Sequence, residues 1–124
     1  MINKQAYLNA IYQDIEIVKG DTLSFNFQLQ GLGGATPVFT LTVKEHYDDD
    51  ANVIQVKSTD ADPKPFRQIN YDADTDTTTF VCRIKNELTD DLELMRYYYD
   101  LHLTVNGDSI TLMRGRFTAL YEVS

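Results

Sequence analysis

The stretch 97-YYYDLHLTVNGDSITLMRGRFTALYEV-123 decides the fold. Tyr97, Tyr99, Leu101, Leu103 and Val105 fall on alternate positions, with Asp100, His102 and Thr104 between them. A period of two is that of a half-buried strand. Asn106-Gly107 follows, a pair that suits a type I′ turn because both central residues must accept positive φ. A two-residue loop sets Val105 against Asp108, Leu103 against Ile110 and Leu101 against Leu112, so apolar meets apolar on one face. A three-residue loop would set Leu103 against Thr111 instead. Burying one Leu or Ile is worth roughly 1.5–3 kcal/mol. A slip of one residue turns an arm's apolar set outward. The spacing therefore predicts a hairpin in the two-residue register.

Beyond Leu112 the apolar parity changes. Ile110 and Leu112 are even, whereas Phe117, Ala119, Tyr121 and Val123 are odd. One extra residue must be absorbed, and Arg114-Gly115 is the expected site of a β-bulge. That correction brings Tyr97 opposite Phe117.

Working outward, the same alternation recurs. Ile15 and Ile17 mark a first strand, and Lys19-Gly20-Asp21 is turn chemistry. Leu23, Phe25, Phe27 and Leu29 alternate with polar residues. The stretch 31-GLGGATP-37 reads as a loop and lacks the spacing of a phosphate-binding glycine motif. Phe39, Leu41, Val43 and Tyr47 are expected to face inward. Val53 to Val56, Ile69 with Tyr71, and Phe80 with Cys82 and Ile84 mark further short strands. In 86-NELTDDLELMR-96, Thr89 is the expected N-cap of a helical turn, with Leu92 and Met95 facing the core. Eight or so short strands with at most two short helices predict an all-β fold. The expected form is an antiparallel β-sandwich, Ig-like or Greek-key in style, over residues 13–124; a small barrel is the alternative. Residues 1–12 read as an N-terminal arm or short helix, with Tyr7, Leu8, Ile11 and Tyr12 at helical spacing.

The totals narrow the function classes. The 124 residues suit one domain, 43% hydrophobic and 24% charged, with net charge −8. Such acidity disfavours nucleic acid and anionic membrane surfaces as partners. The single cysteine, Cys82, leaves no internal disulfide. No apolar run approaches the ~18 residues of a membrane span. The opening residues lack the apolar core of a secretory signal, and the expectation is a protein made in a cytosol.

Little in the chain suggests catalysis. His46 and His102 have no second His or Cys at ligand spacing, and Cys82 shares parity with core residues. Asp72, Asp74 and Asp76 open like a calcium loop. The sixth and twelfth positions are Thr77 and Arg83, where an EF-hand needs Gly and Glu. The reading is therefore no enzyme, with no catalytic, cofactor or metal residues. Eight tyrosines are many for this length, and Tyr98 points away from its neighbours Tyr97 and Tyr99. It either covers its own sheet or meets a partner, since tyrosine suits interfaces.

Several elements in fixed order carry a resemblance. They are a strand entered through a Gly-Asp turn, 20-GDTLSFNFQL-29; a loop with Thr89 and Leu92; the aromatic strand 97-YYYDLHLTV-105; and a closing strand with a glycine, 112-LMRGRFTALYEV-123. Across residues 13–123 the chain resembles the small β-sandwich domains of tailed-phage structural proteins, as at the N-terminus of baseplate upper proteins and in short prophage proteins. The resemblance departs at Met95-Arg96, where glycine is usual before the aromatic strand. It implies a non-enzymatic virion component, made in a bacterial host's cytoplasm, that contacts other phage structural proteins or copies of itself. Tyr7, Leu8, Ile11, Tyr12 and Tyr98 are the candidate interface residues. A module that binds carbohydrate or a cell surface is the alternative.

Overall fold

The computed structural model describes residues 11–61, 64–93 and 95–121. Among them, nine strands and one helix run in order. They are β1 Ile11–Tyr12, β2 Ile15–Val18, β3 Leu23–Gln30, β4 Val38–Lys44, β5 Ile54–Lys57, β6 Phe66–Asp72, β7 Thr77–Ile84, α1 Asn86–Asp90, β8 Arg96–Val105 and β9 Asp108–Leu120. The alternation is borne out as a β-sandwich. One sheet has the order β1-β9-β8-β4-β5, with β2 also on β9; the other is β3-β7-β6.

The β8–β9 hairpin forms the centre of the larger sheet. Odd residues of β8 from Tyr97 to Val105 are buried, and the even ones are not. Asn106 and Gly107 have φ of 50° and 82°, as a type I′ turn needs. Leu103 faces Ile110, Val105 faces Asp108 and Tyr97 faces Phe117, as expected. The extra residue lies elsewhere than expected. The register steps from Leu101–Met113 to His102–Thr111, so Leu112 is the bulged residue and Leu101 faces Met113. Leu112 is buried, so the correction is made inside the core.

Gly115 answers a different demand. A Cβ there would stand 2.3 Å from the Gln13 carbonyl oxygen and 2.8 Å from its carbon. The N-terminal segment crosses at that point, so only glycine fits. Gln13 N donates to the Arg114 carbonyl at 2.9 Å, and Arg116 N donates to Asp14 Oδ1 at 3.0 Å. The Tyr99 hydroxyl donates to the Gln13 carbonyl. The flanking strands run parallel to β9, with Ile11 beside Met113 and Ile15 beside Phe117. The sandwich is therefore antiparallel except along this edge. Ile11 and Tyr12 are strand, not helix, because β9 offers them ladder partners. Tyr7 and Leu8 lie outside the described residues.

Strand β6 departs from the simple alternation. Its register shifts between Gln68 and Asn70, which leaves Ile69 as the extra residue. Gln68 and Tyr71 then stand opposite Phe80 and Thr78 on the side facing the other sheet. Ile69, which with Tyr71 marked this strand in the sequence, is 49% exposed.

The helix carries a second correction. Thr89 lies inside α1, not at its N-cap; Lys85 holds that position without a side-chain cap. The fully buried Thr89 hydroxyl donates to the Asp21 carbonyl at 2.6 Å. The Gly-Asp turn and the isolated threonine are thus one contact, and α1 closes the end of the sandwich where β2 turns into β3. Leu92 is buried and Met95 packs against the core, as the spacing predicts. Between the sheets, Phe39 of the larger sheet meets Phe80 at 4.8 Å and Phe66 at 5.3 Å between ring centroids. Such pairs add about 0.5–1.5 kcal/mol beyond the area they bury.

Candidate functional site

Two surface features stand out, one on the outer face of the larger sheet and one at the end of the sandwich. On the outer face, the even residues of β8 set the rows. Tyr98 lies between Lys44 and Arg116, and Asp100 between Thr42 and Arg114. Tyr12 stands beside Arg114 in the parallel ladder. The Tyr47 ring lies over the Tyr98 ring with centroids 4.3 Å apart. The Arg114 guanidinium sits 5.0 Å from the Tyr47 ring centre, within cation–π range. A hydrogen bond with Tyr47 raises the pKa of Tyr12.

Tyr47 is therefore the link between Tyr12 and Tyr98, the two described candidates with side chains on this face. Tyr47 was expected to face inward; it is 43% exposed. Strand β4 ends at Lys44, and beyond it parity no longer sets a side. Lys44 Nζ donates to the Asp49 carbonyl at 2.7 Å, and His46 N donates to Asp49 Oδ2 at 3.2 Å. These bonds fold the loop so that Tyr47 returns over the sheet. Sequence reasoning missed Tyr47 and Arg114. The hairpin register, which places Arg114 two residues along the face from Arg116, was the available signal for the second.

His102 lies in the same face. Its Nε2 is 3.2 Å from Thr111 Oγ1 and 3.7 Å from Asp100 Oδ1. A hydroxyl, an imidazole and a carboxylate together suggest a nucleophilic triad. Here both oxygens approach the same ring nitrogen. A triad needs the carboxylate on the nitrogen opposite the nucleophile, so this group does not activate Thr111. His46 is exposed in the loop with Tyr47. Cys82 is buried, and desolvation pushes its thiol up to about 12, which holds it neutral and unreactive. Among the described residues no three metal-ligating side chains converge. Asp72 Oδ1 accepts from Asp74 N at 3.0 Å, and Asp76 Oδ1 accepts from the Tyr71 hydroxyl at 3.1 Å. These carboxylates serve their own turn.

The second feature is a cleft of about 590 Å³ where the glycine loop passes β6. Phe39, Phe66, Phe80 and Leu32 are among its apolar lining. Gln68, Ser58, Thr36, Thr59, Thr78 and Tyr71 supply polar groups. Sequence reasoning missed it, because the bulge at Ile69 is what turns Gln68 and Tyr71 toward this space.

No family model matches the chain, and no curated protein sequence matches it. Solved structures do. One, from work on cell-adhesive interactions of VGSC beta subunits, aligns with TM-score 0.45 and 10% identity over 90% of this chain and 93% of that one. Another is a family 123 glycoside hydrolase from Clostridium perfringens, with TM-score 0.49 and 17% identity; it covers 98% of this chain, which spans 25% of the hydrolase chain. Likenesses this distant carry no argument about activity.

Proposed function

We propose that this chain is a non-enzymatic structural or adaptor module of tailed-phage type, joining a baseplate, tail or head-fibre through protein–protein contact. The observation that carries the contact role is the face built by Tyr12, Tyr47, Tyr98 and Arg114. Tyrosine and arginine are enriched at protein interfaces and at their hot spots. The rings are already held against one another, so little side-chain freedom is lost on docking. The phage assignment draws its support from the resemblance over residues 13–123. The partners are other structural proteins of the particle or further copies of the chain, and the site of action is the virion.

The test is photo-crosslinking from position 98 in assembled particles. A cross-link to a neighbouring particle protein, lost when Tyr47→Ala and Arg114→Ala are introduced, supports the reading. Purified particles that contain none of this chain would end it.

A further inference from the structure

The cleft beside β6 has a lining that selects for one ligand chemistry. Among the described residues, none of the fourteen that line it carries a charge, although charged residues make up 24% of the chain. Its volume of about 590 Å³ lies in the range of small-molecule sites. Carboxylates stand outside it on the adjoining turns, at Asp60, Asp72, Asp74 and Asp76. Among the described lining residues an anionic ligand would find no cation to pair with, and a cation would find no carboxylate. A purely apolar ligand would strip water from the exposed Gln68, Thr36 and Thr59 without replacing their hydrogen bonds, which is unfavourable.

Tyr71 adds the orienting element. It is 50% exposed at the cleft's border. Its hydroxyl donates to Asp76 Oδ1 at 3.1 Å, which fixes the ring on the β6–β7 turn. A held aromatic ring beside neutral hydrogen-bonding side chains suits a molecule with one apolar face and a rim of hydroxyls. We infer that the cleft binds an uncharged saccharide, with Tyr71 as the stacking surface and Gln68 as a hydrogen-bonding group. The site is separate from the tyrosine–arginine face, which lies on the outside of the other sheet.

The experiment is a glycan array of neutral, sialylated and sulfated oligosaccharides, followed by NMR titration with the best neutral binder. The expected result is a neutral glycan that shifts resonances of the cleft residues. Tyr71→Ala weakens it at least about tenfold, and Gln68→Leu weakens it measurably. Tyr71 is half exposed, so its variant is expected to fold; an unchanged amide spectrum away from the cleft verifies this. Tyr47→Ala leaves glycan binding as it was, which separates this result from the fate of the proposed assembly role. Any of four outcomes overturns the inference: no neutral glycan bound, charged glycans preferred, shifts confined to the Tyr12, Tyr47 and Tyr98 face, or undiminished binding by Tyr71→Ala.

Discussion

In the β8–β9 hairpin the extra residue, Leu112, is buried; in β6 the extra residue, Ile69, is 49% exposed. Both strands break their alternation by one. Strand β9 has β8 on one side and β1 with β2 on the other, and Leu112, Phe117 and Ala119 on its inner face belong to the core cluster. An apolar side chain displaced there still finds core to enter. Among the described residues strand β6 is an edge with one neighbour, β7, and it borders the cleft. A side chain displaced there meets water. Alternation therefore reports burial only where a sheet is covered and flanked. At an edge it reports little more than that a strand exists.

Four measurements can break or sharpen this contrast. The largest effect belongs to Leu101, which is 0% exposed in the centre of the hairpin. Leu101→Ala is expected to lose about 2–5 kcal/mol in urea unfolding. Gly115→Ala comes next, at about 1–3 kcal/mol, since the new methyl group forces the Gln13 carbonyl away and breaks its bond from Tyr99. Hydrogen exchange should speed up along residues 11–18 and remain slow in β4. Uniform acceleration would mean that the N-terminal edge is no separate unit.

The third effect depends on pH. Burial raises the Cys82 thiol to about 12 from its ordinary value of 9.0. Above pH 9 the unfolded chain gives up this proton while the folded chain keeps it, so stability falls as pH rises from 9 toward 12. The difference between the chain and its Cys82→Ala variant should shrink by about 1 kcal/mol at pH 10 relative to pH 8. An unchanged difference would show that the thiol is not sealed in the core. The smallest effect is that of Ile69→Thr, expected within about 0.5 kcal/mol of the parent. If it cost as much as Leu101→Ala, the distinction between the two bulges would collapse.

The hairpin was legible in the sequence because its cues are local: alternate apolar residues, an Asn-Gly pair and a change of parity. The parity change required an extra residue before Phe117 without locating it. The glycine that suggested Arg114-Gly115 is explained by a crossing at Gln13, and nothing near residue 115 discloses that. Thr89 likewise resembled a cap because its partner, Asp21, is distant in sequence. On the candidate interface, Tyr98 was legible from its parity and Tyr12 was singled out for helical spacing. Tyr47, which joins them, is placed by bonds within an irregular loop, where no periodicity operates. Gln68 and Tyr71 share a wall of the cleft only after a one-residue shift that a count of two cannot reveal.

The parallel seating of β2 on β9 has a consequence for synthesis. Arg116 and Asp14, which bond across that seam, are 102 positions apart in sequence. While the ribosome is still making the middle of the chain, Ile15 and Ile17 have no ladder to join. The edge can close only when the closing strand emerges. Contacts of such separation slow folding and prolong the exposure of sticky segments. Translation of the last strand is thus the step that lets the nascent domain seal itself.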